Sequence, residues 1–252
     1  MNNYQLVVII PCFNEGKRLI YNEWFDYIEA HHSFLFLFVD DGSRDNTAAV
    51  LKNFSANHSN IEVVHNPENC GKGSAVRRGI LHAIHNYSFD CIAFIDADLS
   101  TPLPELDRFI IMLNSNENID FLLASRVQML GKKIKRNLFR HYIGRVIATF
   151  ICKILDEPVY DTQCGLKMFR KNIAGELIQD AFITKWLFDV ELLARYKLKY
   201  GSGAFNERLV EVPVNKWTEK ENSKLKYYQF TGIVSELLKI NNKYFRAPKN
   251  DT

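Results

Sequence analysis

The chain has 252 residues, 47% of them hydrophobic, enough to bury one large α/β core, and it should fold as a globular protein. A net charge of +3 excludes a surface that binds nucleic acid as a whole and leaves only a local basic patch to be found. Five scattered cysteines without a Cys-x-x-Cys spacing argue against a disulfide framework or a zinc site and point to a reducing compartment.

The first apolar run, "YQLVVII" (4–10), is too short for a signal peptide and follows no basic region, so it reads as a strand. "FLFLFV" (34–39), "IEVVH" (61–65), "CIAFI" (91–95) and "FLLA" (121–124) read the same way. Between them "DNTAAVLKNFSA" and "GSAVRRGILHAIHNY" predict helices, with Asp45 and Ser74 as N-caps. Strand and helix in alternation predict βαβ units and a mainly parallel sheet. After about residue 125 the alternation fades.

The next stretch, "GKKIKRNLFRHYIGRVIATFICKIL" (131–155), predicts a helix that Gly144 weakens. Ile134, Leu138, Tyr142, Val146, Phe150 and Ile154 recur every four residues, and Phe139, Ile143, Ile147 and Ile151 widen the stripe. Lys132, Lys133, Lys135, Arg136, Arg140 and Arg145 load its first half with no acidic residue among them. Two readings stand: a helix lying in a membrane surface, or a core helix with a solvated basic end. "NKWTEKENSKLKYYQF" reads as a mobile loop, and "YYQFTGIVSELLKINNKYF" as an amphipathic helix packing back onto the domain. No stretch has eighteen uninterrupted apolar residues, so no spanning helix is expected.

Polar residues collect where the strands end, at "PCFNE", "DDGSRDN", "NPENCGKG" and "DADLS", and in open α/β sheets ligands bind along that rim. Asp96 and Asp98 alternate with Ala97, so they project to one side, roughly 6–7 Å apart at the backbone. Two carboxylates that close repel unless a cation intervenes, and Mg2+ or Mn2+, completed by water and substrate phosphates, fits the arrangement. An acid–base hydrolase is the weaker reading, because its carboxylates must flank the scissile bond rather than approach from one side. "CGKG" offers backbone amides and Lys72 to a phosphate, while Val76 stands where a dinucleotide fingerprint would have its third glycine or alanine. His82 and His85 lie three apart on a predicted helix without a carboxylate in that segment; His31 and His32 read as solvated.

"VVIIPCFNE", "FVDDGSRDNT", "NCGKGSAVRRG", "DADLSTP" and "LLASR" resemble, in order and spacing, family 2 glycosyltransferases of the GT-A fold. "YDTQCGLKMFRK", "WLFDVELLARYK" and "VPVNKWTEKENSKLKYY" are similar to dolichyl-phosphate β-glucosyltransferases and bacterial polyprenyl-phosphate relatives. The resemblance implies a Rossmann-like catalytic domain over 1–226, with a nucleotide-sugar half (1–126) and an acceptor half (127–226), then a C-terminal helix and tail (227–252). It implies inverting, metal-dependent transfer of a hexose, glucose, from a UDP-sugar to a polyprenyl phosphate, by an enzyme held peripherally at the cytoplasmic face of the membrane.

The roles implied are specific. Pro11, Phe13, Asn14 and Glu15 would line the base and ribose pocket, Asp41 would accept the uracil N3–H, and Gly71, Lys72, Asp96, Ala97 and Gln163 would face the diphosphate and sugar. Asp96 and Asp98 would hold the metal, although Ser100 replaces a glutamine that assists in some mannosyl-transferring relatives. Asp98, Arg126 and Asp189 would carry the chemistry, Trp217 and Lys224 would close a lid, and Lys167 and Arg170 are either phosphate ligands or surface charges. Lys135, Arg136, Arg140 and Arg145 would meet the acceptor phosphate or the membrane. A phosphate monoester is a dianion at neutral pH and needs no general base. The alternatives are transfer to a glycan hydroxyl with Asp189 as base, or a catalytically silent nucleotide-sugar-binding or membrane-interaction protein.

Overall fold

In the computed structural model, which describes residues 3–19, 21–135, 137–219 and 230–246, apolar alternation along the first strand sets the layers. Leu6, Val8 and Ile10 of β1 (Asn3–Cys12) enter one core cluster and Val7 and Ile9 the other, all fully buried. A strand apolar on both faces belongs in the middle of a sheet covered on both sides. The chain continues as α1 (Tyr21–Ala30), β2 (Phe34–Asp41), α2 (Thr47–Asn57), β3 (Ile61–Asn66), α3 (Lys72–Asn86), β4 (Ser88–Phe94), α4 (Pro104–Ser115) and β5 (Phe121–Ser125).

Seven strands form the main sheet in the order β3-β2-β1-β4-β7-β5-β8, where β7 is Lys167–Arg170 and β8 is Leu209–Pro213. All pairings are parallel except those of β7, which runs antiparallel between β4 and β5. Its register places Lys167 opposite both Phe94 and Leu123, so β7 starts where its neighbours finish. That reversal delivers the chain before Lys167 to the same rim as the βα loops.

Helices α1, α2 and α4 cover one face, through Trp24, Ile28, Leu51, Phe54, Leu106 and Phe109. The other face carries α3, α5 (Leu138–Leu155), α6 (Lys171–Leu177), α7 (Phe188–Arg208) and α8 (Phe230–Ile240), which ends in a π-helical turn at Asn241–Arg246. α7 is two helical segments joined at Gly201, whose φ is 80°. The expected α/β architecture, mainly parallel with helices on both faces and a helix at the C-terminal end, is what the chain adopts.

Several local expectations differ. α3 starts at Lys72 behind Gly71, so Ser74 lies inside the helix. Asp45 precedes the N-cap position Asn46, yet its carboxylate accepts the Thr47 N–H at 2.9 Å and does a cap's work from one residue away. The stretch 131–155 divides: Lys133–Lys135 is a strand, β6, and α5 runs unbroken through Gly144. β6 pairs in parallel with β9 (Lys216–Thr218), so the start of the expected loop is a strand instead. Residues 220–229 lie outside the described residues. All five cysteines are free.

Candidate active site

The rim at the carboxyl ends of β1, β2 and β4 is tied together by side chains. After β1, Asn14 sits in the left-handed region (φ 52°), which asparagine tolerates, and its side-chain oxygen accepts the Arg44 N–H of the β2 loop at 2.8 Å. Glu15 pairs with Arg18 at 2.9 Å, and Arg18 reaches across to Asp98 at 3.0 Å. The Asp98 carboxylate also accepts the Ser100 N–H at 2.9 Å, while Leu99 between them has φ 53°, a costly conformation for leucine. Asp96 pairs with Lys72, from the start of α3, at 2.5 Å. Gly165 leaves the space that the Asp96 carboxylate takes, because a Cβ there would overlap it.

A second cation lies behind Asp96. Lys167 is 1% exposed and its Nζ lies 2.5 Å from both Asp189 and the Cys164 carbonyl. Burial alone would raise the Asp96 carboxyl, but Lys72, with Lys167 and Arg126 behind it, outweighs burial and holds the group below the usual carboxylate range. Burial would lower the Lys72 ammonium, and Asp96, then Asp189 and Asp98, hold it above its usual range. At Asp189 burial wins over both lysines and pushes the carboxyl up. The result is an alternating cluster, Asp98–Arg18 on the open side and Asp96–Lys72 and Asp189–Lys167 inward.

Among the described residues no three His, Cys, Asp or Glu side chains converge as a ready cage for an ion. The donor set nonetheless fits Mg2+ or Mn2+, which use one or two carboxylates and take their remaining ligands from water and phosphate. Asp96 and Asp98 are partly exposed, and their present partners are flexible monocations.

The structure relocates other expected residues. Asp41 is 2% exposed, and its oxygens accept the Asn66 side-chain amide at 2.7 Å and the Cys70 and Gly71 N–H groups at 3.0 and 2.8 Å. It holds the "CGKG" turn rather than presenting an open acceptor. The Arg126 guanidinium is committed to Asp161 at 2.6 and 2.7 Å, and Trp217, expected on a lid, is buried 5.2 Å from it. Both therefore build the wall, as does Ala97, buried in the core. Asp189 is buried against Lys167, and Arg170 donates to the Leu113 and Ile119 carbonyls, so neither Lys167 nor Arg170 is a surface charge.

Pro11, Phe13 and Gln163 stay partly exposed at the rim. Lys135 is exposed on β6, and Arg145 donates to the Tyr160 carbonyl at 2.7 Å and lies over its ring. Arg136, the Arg140 side chain and Lys224 fall outside the described residues. His82 bonds Glu62 and His85 the Leu81 carbonyl, so they do not converge, and His31 bonds Asp107 instead of water alone. Arg18 and Asp161 were not singled out in the sequence. The three-residue spacing from Glu15 was the available signal for Arg18.

Known proteins resemble this chain over most of its length. The model of "Glycosyl transferase family 2" matches residues 7–178. A dolichyl-phosphate β-glucosyltransferase of Trichomonas vaginalis is 30% identical over 95% of this chain and 71% of its own length. The enzyme so named in Homo sapiens is 30% identical over 95% of this chain and 76% of its own. Among solved structures, glucosyl-3-phosphoglycerate synthase of Mycobacterium tuberculosis with Mn2+, UDP and glucosyl-3-phosphoglycerate superposes with a TM-score of 0.67 at 16% identity, covering 98% of this chain and 82% of that one. A Pyrobaculum calidifontis mannosyltransferase with GDP-Man and Mn2+ gives a TM-score of 0.63 at 17% identity, covering 97% and 65%. These two carry the fold alone; together with the family match over most of the sheet they establish that the chain is a glycosyltransferase of family 2, with the GT-A fold.

Proposed function

We propose that this glycosyltransferase moves glucose from UDP-glucose to a dolichyl-type polyprenyl phosphate, with inversion at the anomeric carbon and with Mg2+ or Mn2+ held by Asp96 and Asp98. The observation that carries the reading is the pairing of those two carboxylates with Lys72 and Arg18 at the end of β4, a charge-balanced place for a diphosphate and its ion. The names of the relatives support the lipid phosphate and the glucose.

The chemistry required of the protein is modest. The acceptor is a dianion, so one phosphate oxygen can attack C1 opposite the diphosphate while the bond from C1 to the diphosphate oxygen breaks and UDP leaves with its electrons. A bound divalent ion supplies Lewis-acid stabilisation for the leaving diphosphate. Lys72 and the turn held by Asp41 face the diphosphate, while Pro11, Phe13, Asn14 and Glu15 line the nucleoside pocket. Asp189, buried against Lys167, suits a positioning role for the donor better than abstraction of a hydroxyl proton, which disfavours the glycan-hydroxyl alternative.

Acceptor and membrane contact fall to Lys135, Arg145 and the outer face of α5, where Tyr142, Val146 and Phe150 are more than half exposed. No helix among the described residues is long and apolar enough to cross a membrane. In this reading the enzyme works at the cytoplasmic face, with 1–126 binding the donor, 127–226 the acceptor, and 227–252 as an extension. The test offers UDP-, GDP- and CMP-sugars with Mn2+ and polyprenyl phosphate in vesicles. UDP-glucose should give an acid-labile glucosyl lipid; an acid-stable linkage, or no UDP binding by calorimetry with either ion, sinks the proposal.

A further inference from the structure

The turn that leads into α7 has no local side-chain cap: Leu187, at the N-cap position, is apolar and makes no capping bond. Glu236, from α8, caps that turn from about fifty residues further on, through the three residues that end at the N-cap position. It is 8% exposed, and its carboxylate accepts the Lys185 N–H at 2.9 Å and those of Trp186 and Leu187 at 3.0 Å each. A negative charge there also complements the positive end of the helix. A second buried carboxylate, Glu191, accepts the Ile183 and Thr184 N–H groups, and the Tyr244 hydroxyl donates to it from the π-helical turn at 2.7 Å. The C-terminal segment is thus fastened to the entry of α7 at two points.

The two residues that follow this cap face the donor turn. Phe188 fills the space beside Gly73, where an added Cβ would lie 2.8 Å from the Phe188 Cβ, and Lys72 Nζ sits 5.8 Å from the Phe188 ring centroid. Asp189 meets Lys167 at 2.5 Å and adds to the field that keeps Lys72 charged. Contacts therefore run without a gap from Glu236, through the amides of 185–187, to Phe188 and Asp189, and on to Lys72 and Asp96.

We propose that Glu236 is a positioning residue for the donor site: the C-terminal helix, outside the matched 7–178 stretch, sets where Phe188 and Asp189 meet the Gly71–Gly73 turn. Its effect on transfer rests on the function proposed above; its effect on the turn does not.

The experiment is amide hydrogen exchange on the full chain, comparing the wild type with Glu236→Ala. Peptides covering 183–191 and 70–76 are read against a reference at 34–41, and transfer kinetics are taken on the same preparations. Exchange should speed up in both site peptides and not in the reference, and KM for UDP-glucose should rise roughly tenfold. A merely structural role would lower the folded fraction, and with it kcat, at unchanged KM. Unchanged exchange at 70–76, or an unchanged KM, overturns the proposal. If Glu236→Ala does not fold, Glu236→Gln, which keeps the volume and one acceptor oxygen, is read by the same peptides. A wild type that makes no glucosyl lipid defeats the proposed function, while the exchange at 70–76 still decides the coupling.

Discussion

Lys167 is the residue on which the inner half of the site depends, because its ammonium is nearly wholly buried and has no water to fall back on. Breaking a buried pair by removing one partner costs about 3–5 kcal/mol, since the other charge is left without compensation. Lys167→Met should therefore lower unfolding stability in urea by about that much, and Lys167→Met with Asp189→Asn should recover most of the loss. Additive losses in the double variant would show that the two side chains do not act as a pair. Gly165 makes the complementary case beside Asp96. An alanine there intrudes on the Asp96 carboxylate, so Gly165→Ala should weaken Mn2+-dependent UDP binding at least roughly tenfold, about 1.4 kcal/mol. Undiminished calorimetric affinity would mean that Asp96 has room to give way.

Elements in the second half of the chain are closed by partners from far along the sequence. α5 ends at Leu155 with Asp156 in the left-handed region (φ 51°) and the Glu157 N–H donating back to the Cys152 carbonyl at 3.2 Å; from far along the chain Lys197 of α7 donates to Leu155 O at 2.6 Å and Asp156 O at 3.2 Å, and pairs with Glu157 at 2.8 Å. Burial would raise the Glu157 carboxyl, yet hydrogen bonds from Lys197, Ser202 and Asn206 outweigh it and hold the group below its ordinary range. A depressed carboxyl contributes stability that is complete above the unfolded value, about 4.3, and is lost as pH falls through the lower folded value. Melting temperatures of the wild type and Glu157→Gln should differ by a constant amount from neutral pH down to about pH 5 and converge below it. Parallel curves down to pH 3 would remove Glu157 from the acid limb. The same distance effect explains what the sequence left illegible. The βα units from β1 to β5 are local, each strand feeding a loop and a helix, so their order and the rim residues Asp96, Asp98 and Lys72 stood out. β7, by contrast, is four residues long, and only its pairing with β4 and β5 gives it a place. The resemblance marks Asp189 as a residue of the chemistry, but its buried pairing was not legible, because its partner Lys167 lies on that inserted strand.

At the scale of the molecule, the periodic apolar stripe of 131–155 turns out to serve two directions at once. Ile147, Ile151, Ile154 and Leu155 pack on the core, while the neighbouring row, Tyr142, Val146 and Phe150, points outward with exposures of 67%, 57% and 56%. The helix starts just beyond β6, whose Lys133 and Lys135 are exposed, so the apolar row follows directly on a basic strand in the chain. An apolar helix face bordered by cations is suited to an anionic lipid surface, with the rings at the acyl boundary and the lysines at headgroup level. Because the three side chains are exposed, replacing them with serine should change stability by no more than about 0.5 kcal/mol each, yet vesicle binding should fall sharply. Sedimentation with anionic vesicles would measure it: the wild type should pellet, more weakly as salt is raised, and Tyr142→Ser/Val146→Ser/Phe150→Ser should stay in the supernatant at every salt concentration. If the triple variant pellets like the wild type, the outer row of α5 is not the membrane face. If it fails to pellet while turnover of a detergent-solubilised polyprenyl phosphate is retained, the row brings the enzyme to its acceptor and the cluster around Asp96 carries out the transfer.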